Sequence, residues 1–389
     1  MTEGPATQHG RIADIEVLRA VAVIMVMIQH APAILFPWRG EFEGRIYTFG
    51  GFWTGVDLFF AISGFVIARS LLPSLETARG TVDFINTTLA FWVRRVWRLL
   101  PSAWLWLAII LVLVVFFNRS GAFGTFRGNF EATIAAVLDV ANFRVLQVFA
   151  QAEHGVSFPY WSLSLEEQFY ILLPITFLIA RRWLPIVLVV GILAQLFLPR
   201  FGPGTSDFGN LMNVIRSDAL MLGVLIALWS RTPTYRLFEP ASLRCMPLIG
   251  ILVLAVLTAL LVATGSLGLH LGAFKVGLVA LLSAALVFIA SFDGDYLFPP
   301  GRLKTMLVWI GARSYALYLI HEPAYLMARE IWFRIEPPGT VFTGVYTLRF
   351  AVTALVILFV LADLNFRLVE TPLRRRGARI SARLRARTA

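Results

Sequence analysis

Arg19 and His30 lie eleven residues apart in the first apolar stretch of the chain. Ionisable side chains inside a membrane-length segment are costly enough to mark function by default. Eleven residues at 3.6 per turn make almost three whole turns, so the two side chains share one helix face about 16 Å apart along the axis. A buried proton-transfer group in line with a buried cation suits an enzyme that holds an anionic cosubstrate and activates a nucleophile. A transport protein could use the same pair. Asp57, in GVDLFFAISGF at 55–65, arrives from the next apolar segment at the depth of His30. A carboxylate there could fix the imidazole tautomer and support its charged state, as in histidine–carboxylate general bases.

The other chemically active residues fall into two layers. An outer layer holds His30, Asp57, Glu166 and Glu167 in YWSLSLEEQFY, and His321 with Glu322. An inner layer holds Arg19, Arg69, and Arg94, Arg95 and Arg98 in FWVRRVWRLLP. Arg94 and Arg98 are four apart and share a helix face. Paired guanidiniums suit phosphate or pyrophosphate, although basic residues beside inner helix ends are also expected as plain membrane anchors. Glu166 and Glu167 point about 100° apart on a helix, so one is expected to be central and we assign that place to Glu166. Glu167 has an alternative as a helix N-terminal charge, three residues beyond Ser164 as in a capping box. Arg216 with Asp218, and Arg313, are further intramembrane ions for which internal pairing is a sufficient explanation.

These residues must be positioned by membrane helices. Hydrophobic residues make up 58% of the 389 positions and charged ones 15%, which is far from a soluble domain. The reading is an all-α, polytopic integral membrane protein with about ten transmembrane helices, at about 16–35, 54–73, 99–117, 161–180, 184–199, 211–229, 246–264, 271–291, 306–327 and 346–368. The run 132–150, interrupted by Asp139, Asn142 and Arg144, reads as interfacial or re-entrant. Residues 1–373 form the membrane domain and 374–389 a basic, lipid-binding tail. With Arg11, the Arg69–Arg98 group, Arg181, Arg182, Arg231, Arg236, Arg244, Arg302, Lys304 and the tail on one side, the basic residues place both termini in the cytoplasm. Arg39, Arg45 and Arg200 fall on the other side. The net charge of +11 is explained by anionic lipid headgroups; no nucleic-acid motif accompanies it. A single cysteine, Cys245, excludes an intrachain disulfide framework and a cysteine metal cluster.

Taken together, Arg19 and His30, GVDLFFAISGF, FWVRRVWRLLP, YWSLSLEEQFYILLP at 160–174 and SYALYLIHEPAY at 314–325 resemble the blocks of the acyltransferase family 3 of membrane proteins, in that family's order. The resemblance implies transfer of an acyl group, most often acetyl from acetyl-CoA, to a hydroxyl of a carbohydrate, glycolipid or macrolide-like acceptor in the bacterial cytoplasmic membrane. It implies that His30 is essential to transfer and that Arg19 belongs to the acyl donor. On this reading His30 takes the acceptor proton, Asp57 orients it, and Glu166 stands beside the acceptor. An acyl-histidine intermediate is a competing route. Arg94, Arg95 and Arg98 hold the phosphates of the acyl-CoA, with Arg69 a weaker candidate. Glu167, Tyr170, Arg216 and His321 are the expected substrate-binding set. No metal is expected, and glycan-assembly proteins are possible partners. The alternatives from other classes are a proton-coupled transporter or flippase of a sugar-linked substrate and a structural partner of another glycan enzyme.

Overall fold

The computed structural model describes residues 12–38, 40, 44–45, 48–149, 153–196, 207–269, 271–272 and 274–386. Arg11, Arg39, Arg200 and Arg387 of the charge pattern lie outside the described residues. Among those described the chain is helical throughout, with no strand, as expected where a backbone surrounded by hydrocarbon must satisfy its own hydrogen bonds.

Three long helices come first: α1 (Ala13–Ile34), α2 (Gly55–Glu76) and α3 (Gly80–Phe116). Two short ones follow, α4 (Phe126–Val137) and α5 (Ala141–Phe149), separated by a bend at Asp139, whose φ is 59°. They occupy the run read as interfacial or re-entrant, and neither is long enough to span hydrocarbon. Next are α6 (Tyr160–Ala180), a 3-10 turn at Arg181–Trp183, and α7 (Leu184–Leu196). After them α8 (Asp207–Val214), α9 (Asp218–Trp229), a short α10 (Ala241–Cys245), α11 (Pro247–Gly265) and α12 (Phe274–Ala290) lead to α13 (Arg302–Ala312) and α14 (Ser314–Ile335). Finally α15 (Thr347–Asn365) continues through a π-helical turn, Phe366–Glu370, into α16 (Thr371–Ala386).

Six runs among the described residues are long and apolar enough to cross a membrane: Ala13–Ile34, Phe52–Glu76, Gly80–Phe116, Tyr160–Leu196, Pro247–Gly265 and Gly344–Arg385. The expected count of about ten differs for identifiable reasons. The stretches 161–180 and 184–199 are joined by a single 3-10 turn. The stretch 211–229 is broken between Val214 and Asp218, around Arg216. The stretch 306–327 is broken at Arg313, and α12 has only 17 residues. Helix α14 carries His321, Glu322, Arg329, Glu330 and Arg334, so it fails a test of apolarity; every residue from Ala316 to Leu326 is nevertheless buried. Protein, not lipid, surrounds that helix, and hydropathy does not read such helices.

The arginines of FWVRRVWRLLP lie inside the 37-residue α3, not in a loop leading to it. Ser164 does not cap α6, which starts at Tyr160 with no side-chain cap; its hydroxyl accepts from the Ala141 N–H at 3.3 Å. The capping-box role for Glu167 falls with it. Residues 374–386 belong to α16, which lies along α3.

Small residues set the closest helix crossings, as is usual where apolar lipid supplies no drive to pack apolar helices. A Cβ at Gly64 would lie 2.0 Å from the Leu220 carbonyl oxygen, and one at Gly223 2.2 Å from that of Ala61. Helices α2 and α9 therefore touch backbone to backbone. At the other end of the molecule Lys304 donates to the fully buried Asp14 at 2.7 Å, tying the first turn of α1 to α13. We expect Gly64→Ala and Gly223→Ala each to lower stability by about 1–3 kcal/mol through overpacking, read as a fall in the unfolding temperature of detergent-purified protein. Gly344→Ala, with open space around it, serves as the unaffected control.

Candidate functional site

Three cavities in the helix bundle share wall residues, each with the next. The first is a basic cleft of about 720 Å³ lined by Arg19, Arg69, Arg98 and Arg374, with Glu16 as its carboxylate. Glu16 is held by Arg19 at 3.1 Å. The second is a neck of about 70 Å³ that shares Arg19, Val66 and Arg98 with the cleft and adds Arg95, Glu166 and Tyr170. The third is a chamber of about 310 Å³ lined by His30, Gln29, Trp53, Trp161, Asn213 and Arg216. Val56 and Tyr318 line both neck and chamber. The helical period of α1 explains the ends of this route: Arg19 opens into the cleft and the neck, and His30, three turns on, opens into the chamber.

The histidine is the terminus of a hydrogen-bond chain. The Nδ1 of His321 lies 2.7 Å from the Tyr318 carbonyl oxygen, which can only accept, so this nitrogen carries the proton. In neutral His321, Nε2 is then an acceptor. It lies 2.7 Å from Nδ1 of His30, which must be the donor. The lone pair of neutral His30 is thereby left on Nε2, which has no partner among the described residues, and the ring borders the chamber. The Glu322 carboxylate stands 3.3 Å from Nδ1 of His30, where it would stabilise an imidazolium. His30, His321 and Glu322 also present ligand atoms within 4.8 Å of one another. Two nitrogens on one tetrahedral zinc would lie roughly 3.3 Å apart; the observed 2.7 Å is a hydrogen bond instead.

The carboxylate beside His30 is therefore Glu322, from α14, and not Asp57. Asp57 turns to Arg216, 3.2 Å away, and Arg216 in turn lies between the rings of Trp53 and Trp161, 5.1 Å from each. Equal depth on neighbouring helices does not fix azimuth, and the guanidinium at the break between α8 and α9 is the stronger partner. Glu166 also departs from the two-layer reading. Six residues into α6 it reaches the level of the arginines, lines the neck with them, and accepts from Ser63 and Tyr170. Glu167 lines the same neck, because the cavity wraps more than 100° of α6. Arg95 lies over the rings of Phe91 and Tyr170. Arg94 is drawn out of the group, donating to Ser381 on α16 at 2.6 Å. His321 orients His30 instead of facing the chamber. Ser63, Tyr318 and Arg374 are the members that the sequence did not single out; Glu322 stands in the expected outer layer, but its place beside His30 is given only by the structure.

Fold and site define a multi-pass membrane protein with a half-buried histidine–carboxylate centre whose chamber is linked by shared wall residues to an arginine-lined cleft. The chain belongs to the acyltransferase family 3, whose acyltransferase domain matches residues 12–362. It is similar to the peptidoglycan O-acetyltransferase OatA of Listeria monocytogenes, with 29% identity over 95% of this chain and 57% of the relative. It is also similar to the putative peptidoglycan O-acetyltransferase YrhL of Bacillus subtilis, 29% identical over 97% of this chain and 57% of the relative. The O-acetyltransferase OatA of Staphylococcus aureus is 29% identical over 92% of this chain and 57% of the relative. The chain thus spans rather more than half the length of these relatives. No solved structure matches it.

The hydrogen-bond chain makes a direct prediction for nitrogen NMR of histidine-labelled protein. At least two of the five histidines should show a protonated Nδ1 and an unprotonated Nε2, and the signal lost in His30→Asn should be one of them. The opposite tautomer would reverse the chain.

Proposed function

We propose that the chain is a membrane O-acyltransferase that moves an acyl group, acetyl in the first instance, from acyl-CoA to a hydroxyl of a glycan, with His30 as general base. The observation that carries this reading is the neck of about 70 Å³ between a wide basic cleft and the chamber of His30. Acyl-CoA has that outline: a bulky, phosphate-rich nucleotide joined to the thioester by a thin arm. Arg19, Arg69, Arg95 and Arg98 would hold the anionic end by charge-assisted hydrogen bonds. Glu166, with Tyr170 and Ser63 donating to it, shapes the neck, and Glu167 stands in its wall. The acceptor hydroxyl enters the chamber, where Trp53 and Trp161 offer apolar faces and Gln29, Asn213 and Arg216 offer polar contacts.

The hydroxyl gives its proton to Nε2 of His30 as its oxygen attacks the thioester carbonyl. The resulting imidazolium donates to His321 and is balanced by Glu322. The tetrahedral centre then collapses, the carbon–sulfur bond breaks, and the thiolate leaves to take up the proton held on Nε2. Ester and free CoA are the products, and atoms and charge balance. Since two of these relatives are named for peptidoglycan O-acetylation, peptidoglycan-type amino-sugar hydroxyls are the first acceptors to test. We take both termini to be cytoplasmic from the distribution of basic residues, which would put the basic cleft on the side that supplies acyl-CoA.

The test is release of free thiol from acetyl-CoA by detergent-purified protein with a panel of glycan and macrolide acceptors. His30→Ala should abolish acceptor-dependent release, and Glu322→Gln should lower kcat roughly 10²-fold or more. Full activity in His30→Ala would sink the mechanism. Val56→Phe should block the neck, lowering kcat while CoA binding is kept. The proximity of His30, His321 and Glu322 favours one second reading, a metal site. Unchanged turnover after chelation supports the base, whereas loss restored by zinc would replace it with a metal.

A further inference from the structure

The basic cleft has a wall that belongs to none of the sequence blocks carrying the family resemblance. Arg374, on α16, lines it together with Arg19, Arg69 and Arg98. Its position is fixed from two sides. Upstream, the π-helical turn Phe366–Glu370 holds one residue more than an α-turn, which rotates everything beyond it by about 100°. That turn is anchored to α3: Trp106 donates to the Asn365 side chain at 3.2 Å, and Asn365 donates to Glu370 at 2.9 Å. Downstream, α16 is fastened along α3 by the Arg94–Ser381 hydrogen bond at 2.6 Å. Arg376 stacks over Trp97 at 5.0 Å, and Gly377 lies so close that a Cβ there would be 2.4 Å from Cβ of Trp97. A helix meant only to lie on lipid headgroups needs none of these contacts; a helix that must deliver one guanidinium to a defined place needs all of them.

We infer that α16 is a wall of the donor site and that Arg374 binds a phosphate of the nucleotide part of acyl-CoA. This rests on the acyl-CoA reading above. It also gives Arg94 a function, as a positioning residue that clamps α16 and not as a ligand of the donor. Four guanidiniums around one open cleft, with the carboxylate Glu16 already engaged by Arg19, form a site suited to a polyanion.

The experiment compares two donors on the full chain: acetyl-CoA, and S-acetylpantetheine, which carries the same thioester arm without the nucleotide phosphates. Arg374→Ala should raise KM for acetyl-CoA about tenfold, as expected for loss of one charge-assisted contact, with kcat unchanged. Its turnover of S-acetylpantetheine should match that of the wild type. Arg374→Lys should recover most of the loss, and Gly377→Ala, which levers α16 off Trp97 without touching any ligand, should reproduce the KM rise. Equal changes with both donors would mean a merely structural role, and an unchanged KM for acetyl-CoA would remove Arg374 from the site; either overturns the inference while the acyltransferase reading stands. Wild-type protein that uses neither donor would overturn both. Reconstitution in phosphatidylcholine vesicles with and without phosphatidylglycerol separates the remaining source of phosphate. The same KM shift in both supports donor binding, and a shift confined to phosphatidylglycerol would make Arg374 a lipid contact.

Discussion

The hydrogen bond from His321 to the Tyr318 carbonyl is the constraint from which the site is built. A backbone carbonyl cannot donate, so it sets the proton on Nδ1 of His321, and through the 2.7 Å contact it sets the proton on Nδ1 of His30 as well. Two neutral imidazoles in a buried setting would otherwise have several proton arrangements of similar energy. Anchored on a carbonyl, they have one, and it leaves the lone pair of His30 on the nitrogen without a partner among the described residues. Tyr318 supplies more than its carbonyl. Its hydroxyl bonds Ser162 at 2.6 Å and the Pro159 carbonyl at 3.1 Å, and its ring borders both neck and chamber. The residue that sets the tautomer also helps set the width of the route to it.

The helix breaks serve the same centre. Backbone that leaves helical geometry at membrane depth is tolerated where protein or a cavity surrounds it. The gap between α8 and α9 meets that condition, because Val214 and Arg216 both border the chamber. Arg216 is 3% exposed and is held by Asp57 and two tryptophans. The helices on either side of this pair, α2 and α9, touch backbone to backbone at Gly64 and Gly223, so the glycines bring Asp57 and the start of α9 onto adjoining elements.

What the sequence made legible follows from which geometry a single helix fixes. Arg19 and His30 share α1, so the 3.6-residue period placed them at the two ends of the route without any knowledge of neighbours. Asp57 and His30 sit on different helices, and depth alone does not say which way each points; the partner of His30 came instead from α14. Glu166 was assigned to the wrong layer because the start of α6 was taken as its depth, although six residues carry it about 9 Å further along the axis. Hydropathy marks the helices richest in apolar residues; it reaches α14 only through the expected stretch 306–327, which the chain breaks at Arg313. The basic tail looked like a lipid anchor because charge composition carries no information about the Gly377–Trp97 contact that packs it on α3.

The dimensions of the neck bear on the choice between an enzyme and a carrier. A carrier of a sugar-linked substrate must open a route as wide as the sugar. The walls of the neck are tied by Tyr318 to Pro159 and Ser162, by Tyr170 to Glu166, and by Tyr315 to the Leu99 carbonyl at 2.8 Å. Buried hydrogen bonds of this kind are costly to leave unmade, and passage of a sugar ring would break several at once. An acyltransferase asks less of the same walls. On the proposed reading the nucleotide would stay in the basic cleft, the acceptor in the chamber, and only the thin arm with its acyl group would occupy the neck. That division of labour would account for the spacing of Arg19 and His30 on α1: the anionic handle of the donor and the proton of the acceptor would be kept three turns apart, and the group passing between them would be the smallest part of either molecule.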